Sequence, residues 1–384
     1  MNTYYPSYYK DFICIADKCP ITCCQEWKIA VDGTTYTHWC ELKPPAHMHT
    51  EYQTLSDYTS FKDEQRVISL NSMKKCPFLQ ENKLCRLVLT YGDCVLSKTC
   101  TDFPREYHTF SHHIEGSLMP GCPAVLDLWQ VHPLVQFPKV SFSSSVDDTE
   151  YMLFQIRDNM ITLLQNEAYP PHLALMAGFY ILLELSDQPV LSSALLKDYF
   201  STETIAQLSA AISQTELSQE DMLYECNELL QDLAVNYQKE GLYADFLTPL
   251  LQLAAEISDG SCNYNLPEEW KTFHPEFKKY NPLIRTFLSN EFFSDLLLPE
   301  GDLSSMILHM QWIGMEYAAI RYAIFLSWLL SEEKTLDYET IRDAIVFLTR
   351  MTGYEDDDIY EYLENSFESL YWEWGYFAMI LADI

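Results

Sequence analysis

The chain has 384 residues, of which 48% are apolar and 14% aromatic, a composition that excludes a disordered polymer and supplies a substantial core. Its 56 acidic residues against 24 Lys plus Arg give a formal charge of −32. Such a field repels phosphate backbones, so nucleic acid is not an expected partner. It favours solubility or a basic, lysine-bearing protein partner.

The opening MNTYYPSYYKDF has no basic segment followed by an apolar run, so no signal peptide is expected. Residues 1–135 are rich in Cys, Pro, Tyr and His and show little sustained periodicity. Short helices and turns joined by shared ligands suit them. Asp32-Gly33 is a turn signal, Thr34 or Thr35 is placed to cap a short helix, and the alternation Val67 to Leu70 predicts a short strand. His132-Pro133, Phe137-Pro138 and the polar run Ser141 to Ser145 put a domain boundary near 130–147.

From Asp147 the apolar residues recur at three- and four-residue steps. Helices are expected at about 147–166, 172–185, 203–213, 217–238 and 241–257. A loop, DGSCNYNLPEEW, follows, and then helices at about 281–298, 306–330 (one long helix or a broken pair), 336–351 and 356–380. No uncharged apolar stretch reaches 18 residues, and Leu173 to Leu185 carries Glu184, so no membrane span is expected. The expected fold is mainly α, with an irregular Cys-rich metal-binding N-terminal domain (1–135) and a larger all-helical C-terminal domain (147–384). A cytoplasmic chain keeps its thiols reduced, which favours metal or catalytic roles for them over disulfides.

With 11 glycines, neither a Rossmann nor a P-loop phosphate motif occurs, and G-x-S-x-G and H-E-x-x-H are absent too. Chemistry concentrates in the cysteines. Ten of twelve lie between Cys14 and Cys122. The main series runs Cys14-x4-Cys19-x3-Cys23-Cys24, then Cys76, Cys85, Cys100 and Cys122, with Cys40 and Cys94 interrupting it. Thiolates favour zinc or iron–sulfur centres, each closed by four ligands. Eight thiols suffice for two centres, or for one with thiols to spare. Adjacent side chains diverge in extended backbone, so Cys23 and Cys24 are expected to serve different irons, centres or roles.

FICIADKCPITCCQEWKIAVDGTTY, CPFLQENKLCRLVLTYGDCVLSKTCTDFPRE and SLMPGCP together resemble the Cys-rich blocks of the flagellin lysine-N-methylase family, over about residues 10 to 125. The stretch KKYNPLIRTFLSNEFF resembles that family more loosely. The resemblance implies a protein-lysine methyltransferase that uses S-adenosylmethionine on flagellin in the cytoplasm. It implies an iron–sulfur centre (4Fe-4S, with zinc as the alternative) held by Cys14, Cys19, Cys23, Cys24, Cys76, Cys85, Cys100 and Cys122. The first block is shared with a broader class of zinc- or iron-chelating proteins. A chelating or redox module without methyltransferase activity, and a zinc-stabilised scaffold, are therefore the alternative functions.

Methyl transfer from a sulfonium needs a neutral amine, and neutralising a lysine at pH 7 costs about 4–5 kcal/mol. Acids and 26 tyrosines offer too many bases to single one out. Arg105, in CTDFPRE, follows a ligand position and is the candidate to contact cluster sulfurs or the adenosylmethionine carboxylate, with a structural salt bridge as the alternative. Trp27 is a candidate shield for the centre or a core residue. His112-His113 is a possible nitrogen donor, more readily an exposed pair.

Overall fold

A computed structural model describes residues 1–46, 48, 51–62, 65–132, 135–140, 148–353, 356–367 and 373–383. Part of the expected domain boundary, residues 133, 134 and 141–147, lies outside the described residues.

The strands are short: β1 (Asn2–Tyr4), β2 (Thr59–Lys62), β3 (Gln65–Ile68), β4 (Arg105–Thr109) and β5 (His113–Leu118). One sheet has the order β1-β5-β4, with β1 parallel to β5 (Asn2 opposite His113) and β4 antiparallel to it (Arg105 opposite Leu118). β2 and β3 form an antiparallel hairpin. The strand expected over Val67 to Leu70 is β3, displaced towards the N-terminus by two residues.

Four short helices stand among these strands: α1 (Gly33–Trp39), α2 (Arg86–Tyr91), α3 (Lys98–Asp102) and α4 (Pro123–Val131). The cap of α1 is Asp32, not Thr34 or Thr35. Its carboxylate accepts from the Thr35 N–H at 2.9 Å and the Thr35 hydroxyl at 2.7 Å, which satisfies an orphan donor of the first turn.

The helical body comprises α5 (Asp148–Gln165), α6 (Pro171–Ser186), α7 (Ser193–Tyr199), α8 (Thr202–Ser213), α9 (Gln219–Glu240), α10 (Ala244–Ser258), α11 (Leu266–Phe277), α12 (Asn281–Ser294), α13 (Leu303–Leu330), α14 (Tyr338–Met351), α15 (Asp356–Phe367) and α16 (Trp374–Leu381). The chain is mainly α. α7 and α11 were not expected. α7 is too short to show a helical period, though Ser192 caps it. α11 occupies part of the expected loop and continues through Pro275. The single stretch expected over 356–380 is two helices, α15 and α16.

α13 is one unbroken helix of 28 residues, buried around its whole circumference. It is long and apolar enough to cross a membrane, but 89% of its most apolar window is buried in this fold. α6, α9, α14 and α16 pack around it. The large core built on these helices extends to Tyr8, Phe12, Leu118 and Trp129, so the β1-β5-β4 sheet and α4 rest on the helical body. A second, smaller core of Ile29, Val31, Trp39, Leu55, Tyr58, Ile68, Phe78, Leu87 and Val95 lies under the remaining Cys-rich segments. Burying each such large apolar side chain is worth about 1.5–3 kcal/mol.

Candidate metal centre

All twelve cysteines are free. Backbone hydrogen bonds draw the separate Cys segments together. The Cys76 N–H donates to the Cys24 carbonyl at 2.8 Å, which sets those two residues side by side. Cys76 and Cys85 close a tight turn: Leu79 bridges Cys85, and the Arg86 N–H donates to the Phe78 carbonyl at 2.8 Å. Cys85 is the residue preceding α2, and Cys100 lies within α3. Lys83 Nζ donates to the Cys19 carbonyl at 2.7 Å, tying this turn to the first Cys loop.

The first loop is fixed from the helical body. Arg350, on α14 and 9% exposed, donates from Nε to the Gly121 carbonyl at 2.8 Å. Its other two nitrogens donate to the carbonyls of Thr22 (3.3 Å) and Ile21 (3.1 Å). One guanidinium thereby holds the residue before Cys122 against the two residues before Cys23. Its carbon lies 5.6 Å from the Trp27 ring centroid. Trp27 packs edge-on against Phe103 and donates from Nε1 to the Cys23 carbonyl at 2.5 Å, so it forms a wall of the thiol loop.

The thiols feel one another. Cys14 and Cys23 act on Cys19, and Cys19 and Cys23 act on Cys122. Cys76 and Cys100 act on Cys24, and Cys85 and Cys100 act on Cys76. Cys23 acts on Cys85 and Cys100 as well, and is paired with Cys24. The eight thiols are therefore one connected neighbourhood, with Cys23 linked to most of the others. The hydrogen bond from the Cys24 thiol, aided by Arg350, brings Cys23 down to about 7 against the effect of burial. The same hydrogen bond, with burial, pushes Cys24 well up. Burial raises Cys19, Cys76 and Cys85, and lifts Cys100 to about 11 and Cys122 to about 12. Cys40 and Cys94 are exposed, and the Cys94 thiol donates to the Tyr91 carbonyl.

Arg105 is half-buried at the start of β4, its guanidinium carbon 5.2 Å from the Phe12 ring centroid and its charge acting on Tyr9. The arginine that contacts the thiol loop is Arg350, which carries no sequence signal because it lies far from the cysteines in a helix of ordinary pattern. His113 is not part of an exposed pair. It is buried, with Nε2 3.2 Å from Glu115, whose carboxylate is also held by both terminal nitrogens of Arg157 at 2.6 and 2.7 Å.

Sequence reasoning also missed a group of oxygen and nitrogen ligands. Glu106 and His108 on β4 and Asp295 at the end of α12 place one ligand atom each within 4.8 Å of the other two. Burial, then Asp295, raises Glu106 to about 8, and burial raises Asp295. Reading REYHT as a strand would have put Glu106 and His108 on one face.

The architecture is that of a mainly α protein with a group of free thiols braced against its helical body. The FliB lysine N-methylase C-terminal domain matches residues 157–380, more than half of the chain. This chain belongs to the FliB lysine N-methylase family. It is 35% identical over 124 residues to the flagellar biosynthetic protein FliU of Salmonella muenchen, 31% of this chain and 72% of that protein. It is 33% and 32% identical over 121 residues to the lysine-N-methylases of Salmonella choleraesuis and Salmonella typhimurium, 31% of this chain and 30% of each of theirs. The matched stretch thus spans under a third of those two enzymes. No solved structure matches the chain.

Proposed function

We propose that this chain is a protein-lysine N-methyltransferase that moves a methyl group from S-adenosylmethionine to lysine side chains of flagellin in the cytoplasm. The observation that carries the reading is that the family-matched region, residues 157–380, supplies the arginine that braces the thiol loops. The flagellar name of one relative supports the substrate.

In this reading residues 1–135 are the Cys-rich domain and 147–384 the helical one. The eight thiols Cys14, Cys19, Cys23, Cys24, Cys76, Cys85, Cys100 and Cys122 hold the metal. An all-sulfur, unoxidised donor set fits iron–sulfur or zinc. Such a centre, when bound, supplies structural cross-linking or one-electron chemistry.

The remaining work falls to the chain's own residues. Arg350 offsets the negative charge that crowded thiolates create, and Trp27 limits water at the Cys23 side. Arg105 receives the donor's carboxylate at the edge of the β1-β5-β4 sheet. In the transfer itself the lysine nitrogen lone pair attacks the methyl carbon, the carbon–sulfur bond breaks to leave a neutral thioether, and the ammonium proton goes to a base. The acidic surface attracts the lysine-bearing substrate.

The test is incubation of the anaerobically purified chain with flagellin and S-adenosylmethionine, followed by mass spectrometry of the flagellin lysines. Added methyl groups that require both the intact chain and the donor are expected. Flagellin left unmodified while the thiol centre is fully loaded refutes the reading and favours a chelating or redox module.

A further inference from the structure

We propose that Glu106, His108 and Asp295 form a binding site for one divalent first-row transition ion, separate from the cysteines. The strand period places Glu106 and His108 on the same side of β4, opposite Ser117 and Glu115 of β5. Asp295 follows the last turn of α12, which packs on β5. The three ligand atoms converge within 4.8 Å although the residues come from two distant parts of the chain.

What converges there is two carboxyl groups and an imidazole nitrogen, which satisfy one another only through a shared proton or a cation. His108 Nε2 is out of contact with water and has no hydrogen-bond partner; the nearest Glu106 oxygen is 3.7 Å away. Ser117 is 1% exposed, and its hydroxyl faces the Glu106 carboxylate without a hydrogen bond of ordinary length. A buried polar atom left this way carries a desolvation cost that a cation among them would offset.

The terminal nitrogens of Arg157, whose charge reaches His108, are committed elsewhere. Arg157 binds Glu115 with two nitrogens and the Phe293 carbonyl with one. Asp295 is oriented by the Ser294 hydroxyl at 2.8 Å, the kind of outer contact that fixes a ligating carboxylate. Glu106 and His108 keep 28% and 18% of their side-chain surface exposed, so the group lies near the surface. One imidazole with two carboxylates suits Mn²⁺, Fe²⁺ or Zn²⁺ and leaves coordination positions open for water or a substrate oxygen. Thiolates select softer ions, so Mn²⁺ separates this site from the cysteines.

The experiment is titration of the full chain, its thiol centre as isolated, with MnCl₂, following free Mn²⁺ by its electron paramagnetic resonance signal. One Mn²⁺ per chain is expected. Asp295→Asn and His108→Gln should each weaken binding about tenfold or more, while the sulfur-bound metal content stays that of the parent. If Asp295→Asn fails to fold by circular dichroism, His108→Gln and Glu106→Gln, both partly exposed, decide the matter. Substoichiometric binding to the parent chain, retained affinity in the folded variants, or sulfur-bound metal lost together with Mn²⁺ overturns the proposal.

Discussion

Arg350→Met is the most informative single change near the thiols. Methionine fills much of the aliphatic volume but leaves the carbonyls of Ile21, Thr22 and Gly121 without their donor. A hydrogen bond from a charged donor contributes about 1.5–3 kcal/mol. The three share one side chain, and the contact to Thr22 is long at 3.3 Å, so they do not add fully. A net loss of about 3–5 kcal/mol follows, comparable to breaking a buried charge contact. That is a large share of the 5–15 kcal/mol, roughly, that holds an ordinary domain together. The assay pairs the urea midpoint, read by far-UV circular dichroism, with sulfur-bound metal per chain. Both should fall. Arg350→Lys should be intermediate, since an ammonium restores the charge but cannot span three carbonyls as a planar fork does. A Met variant within about 1 kcal/mol of the parent, with its metal intact, would show that the arginine is not what joins the Cys loops to the helical body.

Three further outcomes follow from buried contacts. Arg157→Ala strands the Glu115 carboxylate in a site where both side chains are almost fully enclosed, so urea unfolding should show a loss of about 3–5 kcal/mol. A new Cβ at Gly314 would drive into the Phe377 ring, so Gly314→Ala should cost about 1–3 kcal/mol from overpacking, visible as a lower thermal midpoint. Acid should destabilise the fold in two windows. Burial lowers His172 from 6.5 to about 4, so the fold favours its neutral form and loses stability as pH falls from about 6.5 towards 4. Burial alone would raise Asp383, but its hydrogen bond to His274 and the charge of His172 bring it from 3.8 down to about 2. Its contribution is present above 3.8 and lost as pH falls to about 2. Urea midpoints measured against pH should lose the upper window in His172→Gln and the lower one in Asp383→Asn.

The helical half was legible because a buried helix repeats its apolar residues every three or four positions. α5, α6, α8, α9, α10, α12, α13 and α14 all announce themselves that way. α7 has too few residues for a period to emerge, and Pro275 disguises α11. The β1-β5-β4 sheet was not legible. Its parallel pair joins Asn2 to His113, and three-residue strands carry no alternation that names a partner so distant. For the candidate site, residue type was legible and arrangement was not. Thiols in that number point to a soft-metal site wherever the chain runs. Which four stand together depends on contacts such as Cys76 to Cys24 and Arg350 to Gly121, which only the fold supplies. Glu106 and His108 stood in plain view beside the Cys block, but Asp295, which completes their group, lies on a helix that reads as ordinary core.

The same contacts explain why a methylase of this family would couple an irregular Cys-rich segment to so large a helical body. Loops with little regular structure lose much entropy when their ends are brought together, and eight thiols held near one another resist ionising in company. Neither cost is met inside the Cys-rich segment, whose own core is small. The helical body meets both. α14 delivers one buried guanidinium that fastens two loops and favours the Cys23 thiolate, while the Tyr243 N–H ahead of α10 donates to Glu26 at 3.0 Å, two residues beyond Cys24. In the proposed centre the first Cys loop is therefore one half, and folding of the C-terminal region completes it. The proposal then requires that the thiols bind metal tightly only after the helices have packed, with the family-matched domain bracing the centre without contributing a ligand from the Cys series.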